Sequence, residues 1–387
     1  METLLLRNYW RNADLISVNL SFSRGRRQDL RAGSRTSSYS VIRGKERSGG
    51  WMGLQLLEAE NRVLVTNLGC FRIIGIPMKI LFSFLLLITI AAADERPLPK
   101  VKHMIDTHIH LYDPTREGGI PWPPKEDEVL YKPHLPAEFK QVSKPAGLTG
   151  VIIVEASDRP GDNRWVLDQI KGDDYFVALV GNIDPYADDF VKQLSVLRKD
   201  SRFVGIRARN GKEKKAIRYT DSKFLASMRE LAKSGLSVDI LANGGGVEAV
   251  KQIDKLARTI PQLRIVVDHV LGYDFDGKAA NPKWVAAVEK LTGNKNVWCK
   301  ISGLYQRSIP QPAPHTLDHY RSVLDVLWKN FGAERLIFGS NWPCTKNSGD
   351  YTSSVKLVNE YFSAKGQEAC ERYFWKNAAE AYRLKLD

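Results

Sequence analysis

Residues 237–269 read SVDILANGGGVEAVKQIDKLARTIPQLRIVVDH, and this stretch contains one complete strand–helix–strand pattern. Short β-branched runs occupy its two ends, at residues 237–242 and 264–269. Between them, residues 247–259 place apolar side chains three and four positions apart, which is the spacing of an amphipathic helix. Two such runs joined by a helix predict a parallel β–α–β unit.

The same pattern repeats along most of the chain. Eight apolar runs alternate with helical stretches, and a last helix is predicted near the C-terminus. The predicted strands lie at residues 104–109, 150–155, 176–183, 203–208, 237–242, 264–269, 297–302 and 335–339. Eight such units predict a single-domain α/β fold, a (β/α)8 TIM barrel. An open doubly wound sheet is the alternative, but the GxGxxG spacing typical of that fold is missing.

Polar residues follow the predicted strands at their C-terminal ends. In a barrel, the loops at these ends converge on one shared site, so these side chains are the candidates for function. In chain order they are His108, His110, Glu155, Asn182, Asp184, Arg207, Arg209, Asn243, His269, Lys300, Ser302 and Asn341.

The first predicted strand ends in the motif His108-Ile109-His110. Alternate side chains of a strand share a face, so both imidazoles are expected to point into the barrel. Two imidazoles at this spacing can bind a divalent metal ion or polarise a carbonyl oxygen. His269 is expected to supply a third imidazole to the same site, with packing as the alternative, and Asp268 is expected to point away or to buttress a neighbour.

Four further residues are predicted to contact the substrate. Glu155 can bind a metal, accept a hydrogen bond from a hydroxyl group or pair with an arginine. Arg207 can hold a carboxylate through two parallel hydrogen bonds, or form a salt bridge at the rim. Lys300 is expected to bind anionic or hydroxylated parts of the substrate. Trp122 lies in a proline- and aromatic-rich segment, residues 118–136, which either covers the pocket or forms a surface loop.

Six segments in this order resemble the amidohydrolase-related branch of the amidohydrolase superfamily. The resemblance is closest to the group containing L-fuconolactonase, L-rhamnono-lactonase and 2-pyrone-4,6-dicarboxylate lactonase, and it covers about residues 102–384. It implies a barrel that hydrolyses small lactones, often those of sugar acids. The segments are IDTHIHLYDP, GVIIVEAS, FVGIRARN, RIVVDHVLG, NVWCKISGLY and RLIFGSNWP.

The resemblance assigns catalytic roles to His108, His110 and His269, and it contains one departure at Asn341. Many relatives carry an aspartate there, which is expected to take a proton from the attacking water. An asparagine amide has no basic form near neutral pH, although it can hold a water molecule by hydrogen bonding. Three explanations stay open: His269 or Glu155 is the base, a metal ion activates the water, or catalysis has been lost.

The resemblance also bears on the metal content. The superfamily's bridging lysine or glutamate on the fourth strand is replaced by Arg207, so a two-metal site is not expected. The prediction is no metal or one divalent ion, zinc or manganese, held by His108, His110 and His269.

The predicted function is hydrolysis of an ester or lactone, with a small lactone or hydroxy acid as the partner molecule. His108 and His110 polarise the carbonyl, directly or through one divalent ion. His269 orients the water or stabilises the developing oxyanion, and Asn341 positions the water. Two alternatives remain: a metal-dependent non-oxidative decarboxylase of the same superfamily, and an exported binding barrel without catalysis.

The composition excludes several classes of protein. The chain has 387 residues, of which 43% are hydrophobic and 26% charged, and only four are cysteines. These values exclude a disulfide-stapled mini-protein and a wholly disordered chain. The formal net charge is +13, but the basic residues form no folded nucleic-acid-binding motif, so no nucleic-acid partner is expected.

The segment that begins at Met78 has the features of a secretory signal peptide. Lys79 is followed by an 11-residue apolar run, ILFSFLLLITI, and then by three alanines. This run is too short to cross a bilayer as a helix. The predicted organisation is an upstream, disordered extension at residues 1–77, a signal peptide at 78–93 and the barrel at 94–387, exported without stable membrane insertion. The alternative is an arginine-rich arm followed by a signal-anchor helix.

Overall fold

The computed structural model describes residues 100–208, 219–242 and 246–386, together with the backbone of four strands within residues 39–77. The chain divides into two compact units, Met1–Arg96 and Pro97–Asp387.

The first unit contains one antiparallel sheet. Its four strands pair in chain order, β1 (Tyr39–Lys45), β2 (Trp51–Ala59), β3 (Arg62–Asn67) and β4 (Ile74–Pro77). The composition of residues 1–77 predicts disorder, whereas these segments pair as strands. Their runs of Val, Leu and Ile favour strand structure. The origin of this segment upstream of the native start stays a prediction, and the predicted signal peptide lies outside the described residues.

The second unit alternates strands with helices. Its strands are β5 (Ile105–Ile109), β6 (Gly150–Val154), β7 (Phe176–Gly181), β8 (Phe203–Ala208), β9 (Ser237–Ile240), β10 (Arg264–Val267), β11 (Val297–Ile301) and β12 (Leu336–Phe338). All eight predicted strands are therefore confirmed, each within a few residues of its predicted bounds.

Helices lie between and after the strands as predicted, and one short helix directly after β11 was not predicted. They are α1 (Pro136–Ser143), α2 (Pro160–Gln169), α3 (Phe190–Leu197), α4 (Ser222–Lys233), α5 (Gly246–Thr259), α6 (Pro282–Leu291), α7 (Leu304–Arg307), α8 (Leu317–Phe331), α9 (Tyr351–Ser363), α10 (Gln367–Glu371) and α11 (Asn377–Tyr382). A π-helical turn, Arg372–Lys376, joins the last two.

Local sequence signals mark where several helices begin. Proline occupies the first turn of α1, α2 and α6, where its missing N–H costs no intrahelical hydrogen bond. The side chains of Asp221, Asn281 and Asp350 accept hydrogen bonds from backbone N–H groups in the first turns of α4, α6 and α9.

The eight strands form one parallel sheet in chain order from β5 to β12. Its two edges meet at the C-terminal end of the strands, which we call the mouth. There the His110 N–H donates to the Trp342 carbonyl at 2.8 Å, and the Asn341 N–H donates to the His108 carbonyl at 2.8 Å. These bonds bring the first and last strands together, which agrees with the predicted barrel.

The opposite end of the barrel, which we call the base, is filled by apolar side chains. They pack against Ala378, Ala381 and Tyr382 of α11, so the last helix covers this end. The inward residues are Ile105, Ile152, Val154, Ala178, Val180, Val204, Val266, Trp298 and Ile337. A second, larger core lies between the strands and the surrounding helices. Among the described residues, none of the helices has both the length and the apolar character needed to cross a membrane.

Candidate functional site at the mouth of the barrel

His108 and His110 both lie inside the barrel at its mouth. Their rings are nearly perpendicular, with centroids 5.0 Å apart. Ile105, on the same strand, also packs inside. In a regular strand, an odd offset would place Ile105 and His108 on opposite faces. The pairing of β5 with β6 shifts register between Asp106 and Ile109, and this irregularity turns the histidine pair inward.

The ring of His110 is fixed by the backbone of the neighbouring strand. Its Nδ1 lies 2.9 Å from the carbonyl oxygen of Val154. Because a carbonyl oxygen only accepts hydrogen bonds, Nδ1 must carry the proton, and Nε2 of the neutral ring then carries a lone pair. Nε2 of the neutral His110 ring can therefore accept a hydrogen bond or bind a metal ion. It has no proton to donate to the carbonyl oxygen of a substrate.

His269 joins this pair because the backbone turns sharply after β10. Val267 faces the outer core, whereas Val266 and Asp268 point inward, so a regular strand would direct His269 outward. His269 instead adopts a left-handed conformation with φ of 54°, as do the next two residues. The turn brings its ring centroid to 4.5 Å from that of His108.

The imidazole of His269 is held by its neighbours on β11. Its Nδ1 lies 2.9 Å from the Oγ of Ser302, and its backbone N–H donates to the same oxygen at 3.3 Å. Gly303 packs directly against the ring, since a Cβ at this position would lie 2.9 Å from Nδ1 of His269.

Burial keeps two of the imidazoles neutral. Desolvation, followed by the charge of Lys300, lowers the pKa of His108 well below 6.5. Desolvation, followed by the proximity of His108, lowers the pKa of His269 well below the same value. Both rings are therefore neutral at neutral pH, which is the form that binds a metal ion or accepts a proton.

Glu155 and Arg207 form a buried ion pair beside the imidazoles. Arg207 Nε donates to Glu155 Oε1 at 2.6 Å, and its Nη2 donates to the Glu155 carbonyl at 2.9 Å. Burial alone would lower the pKa of Arg207, but the charges of Glu155 and then Asp268 outweigh it and raise that pKa. The structure thus realises the arginine pairing that was one of the options for Glu155.

Asn341 and Trp122 complete the mouth. Asn341 has a φ of 65°, a left-handed conformation that asparagine and aspartate tolerate better than most residues. Its Nδ2 lies 3.4 Å from the Oε1 of Gln306. The Trp122 ring packs edge-on against His110, with centroids 5.5 Å apart. The segment around Trp122 therefore reaches the site.

Lys300 does not join the other predicted substrate-binding residues at the surface of the site. It is completely buried, and its Nζ donates to Asp239 Oδ2 at 2.5 Å. The hydroxyl of Tyr382 donates to both oxygens of Asp239 at 3.0 Å. Sequence reasoning missed Asp239 and Tyr382. The alternation of side chains along β11 indicates that Lys300 points into the barrel, since Trp298, two residues earlier, faces the interior.

The remaining predicted candidates have other positions. Asn182 uses its side-chain amide to donate to the Ser157 carbonyl at 2.6 Å and the Arg159 carbonyl at 3.0 Å, which ties one loop together. Arg209 and Asn243 lie outside the described residues.

A search against protein families matches the profile described as amidohydrolase to residues 105–384. The chain belongs to the amidohydrolase family. The matched region includes all eight barrel strands and every candidate residue described above.

Named relatives of this amidohydrolase include two lactonases. It is 28% identical over 285 residues to an L-fucono-1,5-lactonase from Burkholderia ambifaria, which covers 72% of this chain and 95% of that enzyme. It is 23% identical over 190 residues to an L-rhamnono-gamma-lactonase from Scheffersomyces stipitis, which covers 44% of this chain and 56% of that enzyme.

Solved structures show the same fold. An amidohydrolase from Burkholderia multivorans with bound zinc superposes with a TM-score of 0.66 at 22% identity, covering 73% of this chain and 100% of the other. A putative 2-pyrone-4,6-dicarboxylic acid hydrolase from Pseudomonas putida gives a TM-score of 0.59 at 22% identity, covering 74% and 99%.

Members of this superfamily commonly bind a divalent metal ion, and the site of this amidohydrolase fits one. Nε2 of His108 is buried and makes no hydrogen bond with any described residue. His108, Asp268 and His269 present ligand atoms that all lie within 4.8 Å of one another. His110 lies outside this compact group.

The buried charges around the imidazoles also favour a cation. Among the described residues, three carboxylates and two cationic groups are buried there, which leaves an excess of one negative charge. Uncompensated charge in the interior is costly, and a cation is attracted to it. The carboxylates are Glu155, Asp239 and Asp268, and the cations are Arg207 and Lys300. Asp106 is also buried, but it accepts a hydrogen bond from Tyr351 in the outer layer.

Asp268 is better suited to supporting the imidazoles than to binding the ion. Lys300 Nζ lies 3.4 Å from Asp268 Oδ1 and 3.4 Å from His108 Nδ1. A divalent ion on this side would lie next to an ammonium group and be repelled by it. Within this group, the imidazoles of His108 and His269 are therefore better suited than Asp268 to bind an ion.

Proposed function

We propose that this amidohydrolase opens the lactone of a small sugar acid to the corresponding hydroxy acid. The observation that carries the proposal is the gathering of His108, His110 and His269 at one mouth, with each Nδ1 occupied by a neighbour. Two relatives named as lactonases support the choice of substrate class.

In this proposal, one divalent ion, zinc or manganese, is held by the three imidazoles. Such an ion supplies a Lewis acid for a carbonyl oxygen and lowers the pKa of water to about 7. The partners of Nδ1 fix the tautomer and the orientation of each ring, as is usual for histidines that bind metals. The structure of a relative with bound zinc supports the identity of the ion.

This arrangement accounts for asparagine at position 341. A water whose pKa such an ion would lower needs no carboxylate base. The Asn341 side chain then orients the water by accepting or donating a hydrogen bond, and it does not take the proton. Glu155, the alternative base, is engaged by Arg207 at 2.6 Å.

The edges of the site match a polar ring-shaped substrate. The ion pair of Arg207 and Glu155 presents fixed charges that can bind hydroxyl groups and a carboxylate. Trp122 supplies an apolar face against which a sugar ring can pack. We assign both features to substrate binding.

The test is a panel of aldonolactones, with ring opening followed through the acid released into a pH indicator. We expect the wild-type chain to open at least one of them, and His108→Ala to lose this activity. Asn341→Asp should keep it, because aspartate also tolerates the left-handed backbone. If neither the wild type nor Asn341→Asp opens any lactone, the proposal is wrong.

Metal content is the second part of the test. Elemental analysis of the purified chain should find close to one equivalent of zinc or manganese. His108→Ala and His269→Gln should both lower that content, whereas Asp268→Asn should lower it less. Equal metal content in the wild type and the three variants would show that the proposed metal site is wrong.

The proposal includes export of the protein. It rests on the apolar run and the three alanines that follow Met78, which lie outside the described residues. Mass spectrometry of the N-terminus of the protein made by its own host tests this point. Cleavage after residue 93 is expected, and a mature chain that keeps residues 1–93 would contradict it.

A further inference from the structure

A chain of buried ionisable side chains lies directly beneath the three imidazoles. Asp239, Asp268 and Lys300 are all completely buried. Lys300 Nζ lies 2.5 Å from Asp239 Oδ2 and 3.4 Å from Asp268 Oδ1. Moving such groups out of water costs several kcal/mol for each ion, so burial of this kind calls for compensating contacts or a function.

This series of buried side chains ends at the ring of His108. Asp268 Oδ1 lies 3.2 Å from Nδ1 of His108, and Lys300 Nζ lies 3.4 Å from the same nitrogen. These two neighbours demand opposite tautomers. A carboxylate accepts a hydrogen bond and requires a proton on Nδ1, whereas an ammonium donates one and requires a lone pair there.

The hydrogen bonding of Asp268 favours one of the two tautomers of His108. Neither of its oxygens accepts a hydrogen bond with good geometry from any described residue. A proton on Nδ1 of His108 offers this buried carboxylate a donor at 3.2 Å, and a rotation of either side chain is needed to align that contact as a hydrogen bond. Lys300 already donates to Asp239, so it loses only a weak contact at 3.4 Å. Leaving a buried carboxylate without a donor costs more than losing that contact.

We propose that Asp268 is a positioning residue that holds His108 as the Nδ1–H tautomer, and that Asp239 and Lys300 hold Asp268 in place. Nε2 of His108 then turns its lone pair into the site. His108 and His110 thus both present an unprotonated Nε2 to the site. The tautomer of His108 is set by a carboxylate, and that of His110 is set by the Val154 carbonyl.

The effect on turnover rests on the proposed lactone hydrolysis, but the tautomer does not. A direct measurement is therefore nitrogen NMR of the full chain labelled with ¹⁵N in the histidine rings, before and after treatment with a chelator. Only seven histidines are present, and the His108 signals are those that His108→Ala removes. We expect a protonated Nδ1 and an unprotonated Nε2.

Asp268→Asn tests the role of the carboxylate. The amide can donate to Nδ1, so a substantial population of the Nε2–H tautomer should appear. On a lactone that the wild type opens, kcat should fall about 10- to 100-fold with little change in KM. Asp254→Asn is the matched control, because Asp254 is also buried and paired, with Arg258 at 2.6 Å and Asn294 at 2.8 Å, on the outer helix α5.

Lys300 and Asp239 separate positioning from stability. Lys300→Met leaves two buried carboxylates without a cation, so this variant should be less stable. The double variant Lys300→Met/Asp239→Asn removes one of those charges and keeps an acceptor for Tyr382, so most of the thermal stability should return. If the pair acts by holding Asp268 in place, the double variant keeps the Nδ1–H tautomer of His108, because the competing ammonium is gone, but it still has the lower kcat.

Two results would overturn the inference. One is an Nε2–H tautomer of His108 in the wild type. The other is an unchanged tautomer and an unchanged kcat in Asp268→Asn. If neither the wild type nor Asn341→Asp opens a lactone, the proposed function is refuted but this inference is not, because the NMR measurement still decides the tautomer.

Discussion

The base and the mouth of the barrel are built from the same strands but held together in different ways. Along β11, the inward residues run from Trp298 at the base to Lys300 in the middle, and Ser302 follows at the mouth. At the base, apolar side chains pack on the last helix. At the mouth, hydrogen bonds and left-handed backbone hold the imidazoles in place.

This difference shows how the fold separates stability from chemistry. Dispersion and the hydrophobic effect are non-directional, so the base tolerates changes in shape better than changes in volume. The mouth depends on hydrogen bonds of fixed direction and on a backbone conformation that few residues adopt without strain. Variants at the base should therefore change stability, and variants at the mouth should change turnover.

The largest expected effect comes from comparing two histidines, one within β5 and one just before it. His108→Ala should lower kcat/KM by about 1000-fold, because the site loses one of its three imidazoles. His103→Ala is the control, since His103 precedes β5 at the base, where its ring packs against Trp375. It should leave kcat/KM within about twofold of the wild type. Comparable losses in both variants would break the distinction between the two ends.

A change at the base should act on stability alone. Ile152 is completely buried in the inner apolar cluster. Ile152→Ala should lower the free energy of unfolding by about 2–5 kcal/mol through lost burial and the cavity left behind. Urea unfolding measures this loss. The value of kcat/KM for each folded molecule should stay unchanged at a temperature where the variant remains folded, and a large drop would show that the base also shapes the site.

Two glycines with similar backbone conformations sharpen the comparison further. Gly303 has a φ of 60° and lies against His269, whereas Gly172 has a φ of 74° and open space around it. Gly303→Ala and Gly172→Ala should both lose about 1–2 kcal/mol of stability to backbone strain. Only Gly303→Ala should lower kcat, about 10-fold, because the new methyl group displaces the His269 ring. Equal kcat values in the two variants would contradict this packing role.

The smallest expected effect concerns pH. Burial lowers the pKa of His108 and His269 well below 6.5, and the neutral rings are the active forms. As pH falls, both rings stay neutral past the point at which an exposed histidine becomes charged. Neither histidine should therefore produce an acid limb at or above pH 6.5 in the kcat/KM profile. A limb at about pH 7 is expected from the water on the proposed metal ion. A limb near pH 6.5 that belongs to either ring in NMR titration would contradict the lowered histidine pKa values.

Local patterns were sufficient for much of this architecture. Alternating β-branched runs and amphipathic stretches predicted all eight strands and the helices between them, because these periodicities depend only on the chain's own side chains. The two-residue spacing of His108 and His110 placed both rings on one face. The order of the strands then placed His269 and Asn341 at the same end of the barrel.

Other features depend on the neighbours of each strand. The alternation of β10 directs His269 outward, and only the left-handed turn after the strand returns its ring to the site. The register shift in β5 decides that Ile105 and His108 share the interior. The left-handed turn and the register shift both depend on how one strand packs against its neighbours. The sequence of a single strand therefore does not encode them.

Lys300 shows the same limit most clearly. A lysine after a run of buried residues near the end of a strand was expected to bind an anion from the substrate. The alternation of its strand directs it inward, but its partners Asp239 and Asp268, which lie 61 and 32 residues away in the sequence, are visible only in the tertiary structure. The sequence by itself determined the fold and the residues at the mouth. The tertiary structure decided which charges meet in the interior, because an ion is stable there only when a partner from another strand lies within contact distance.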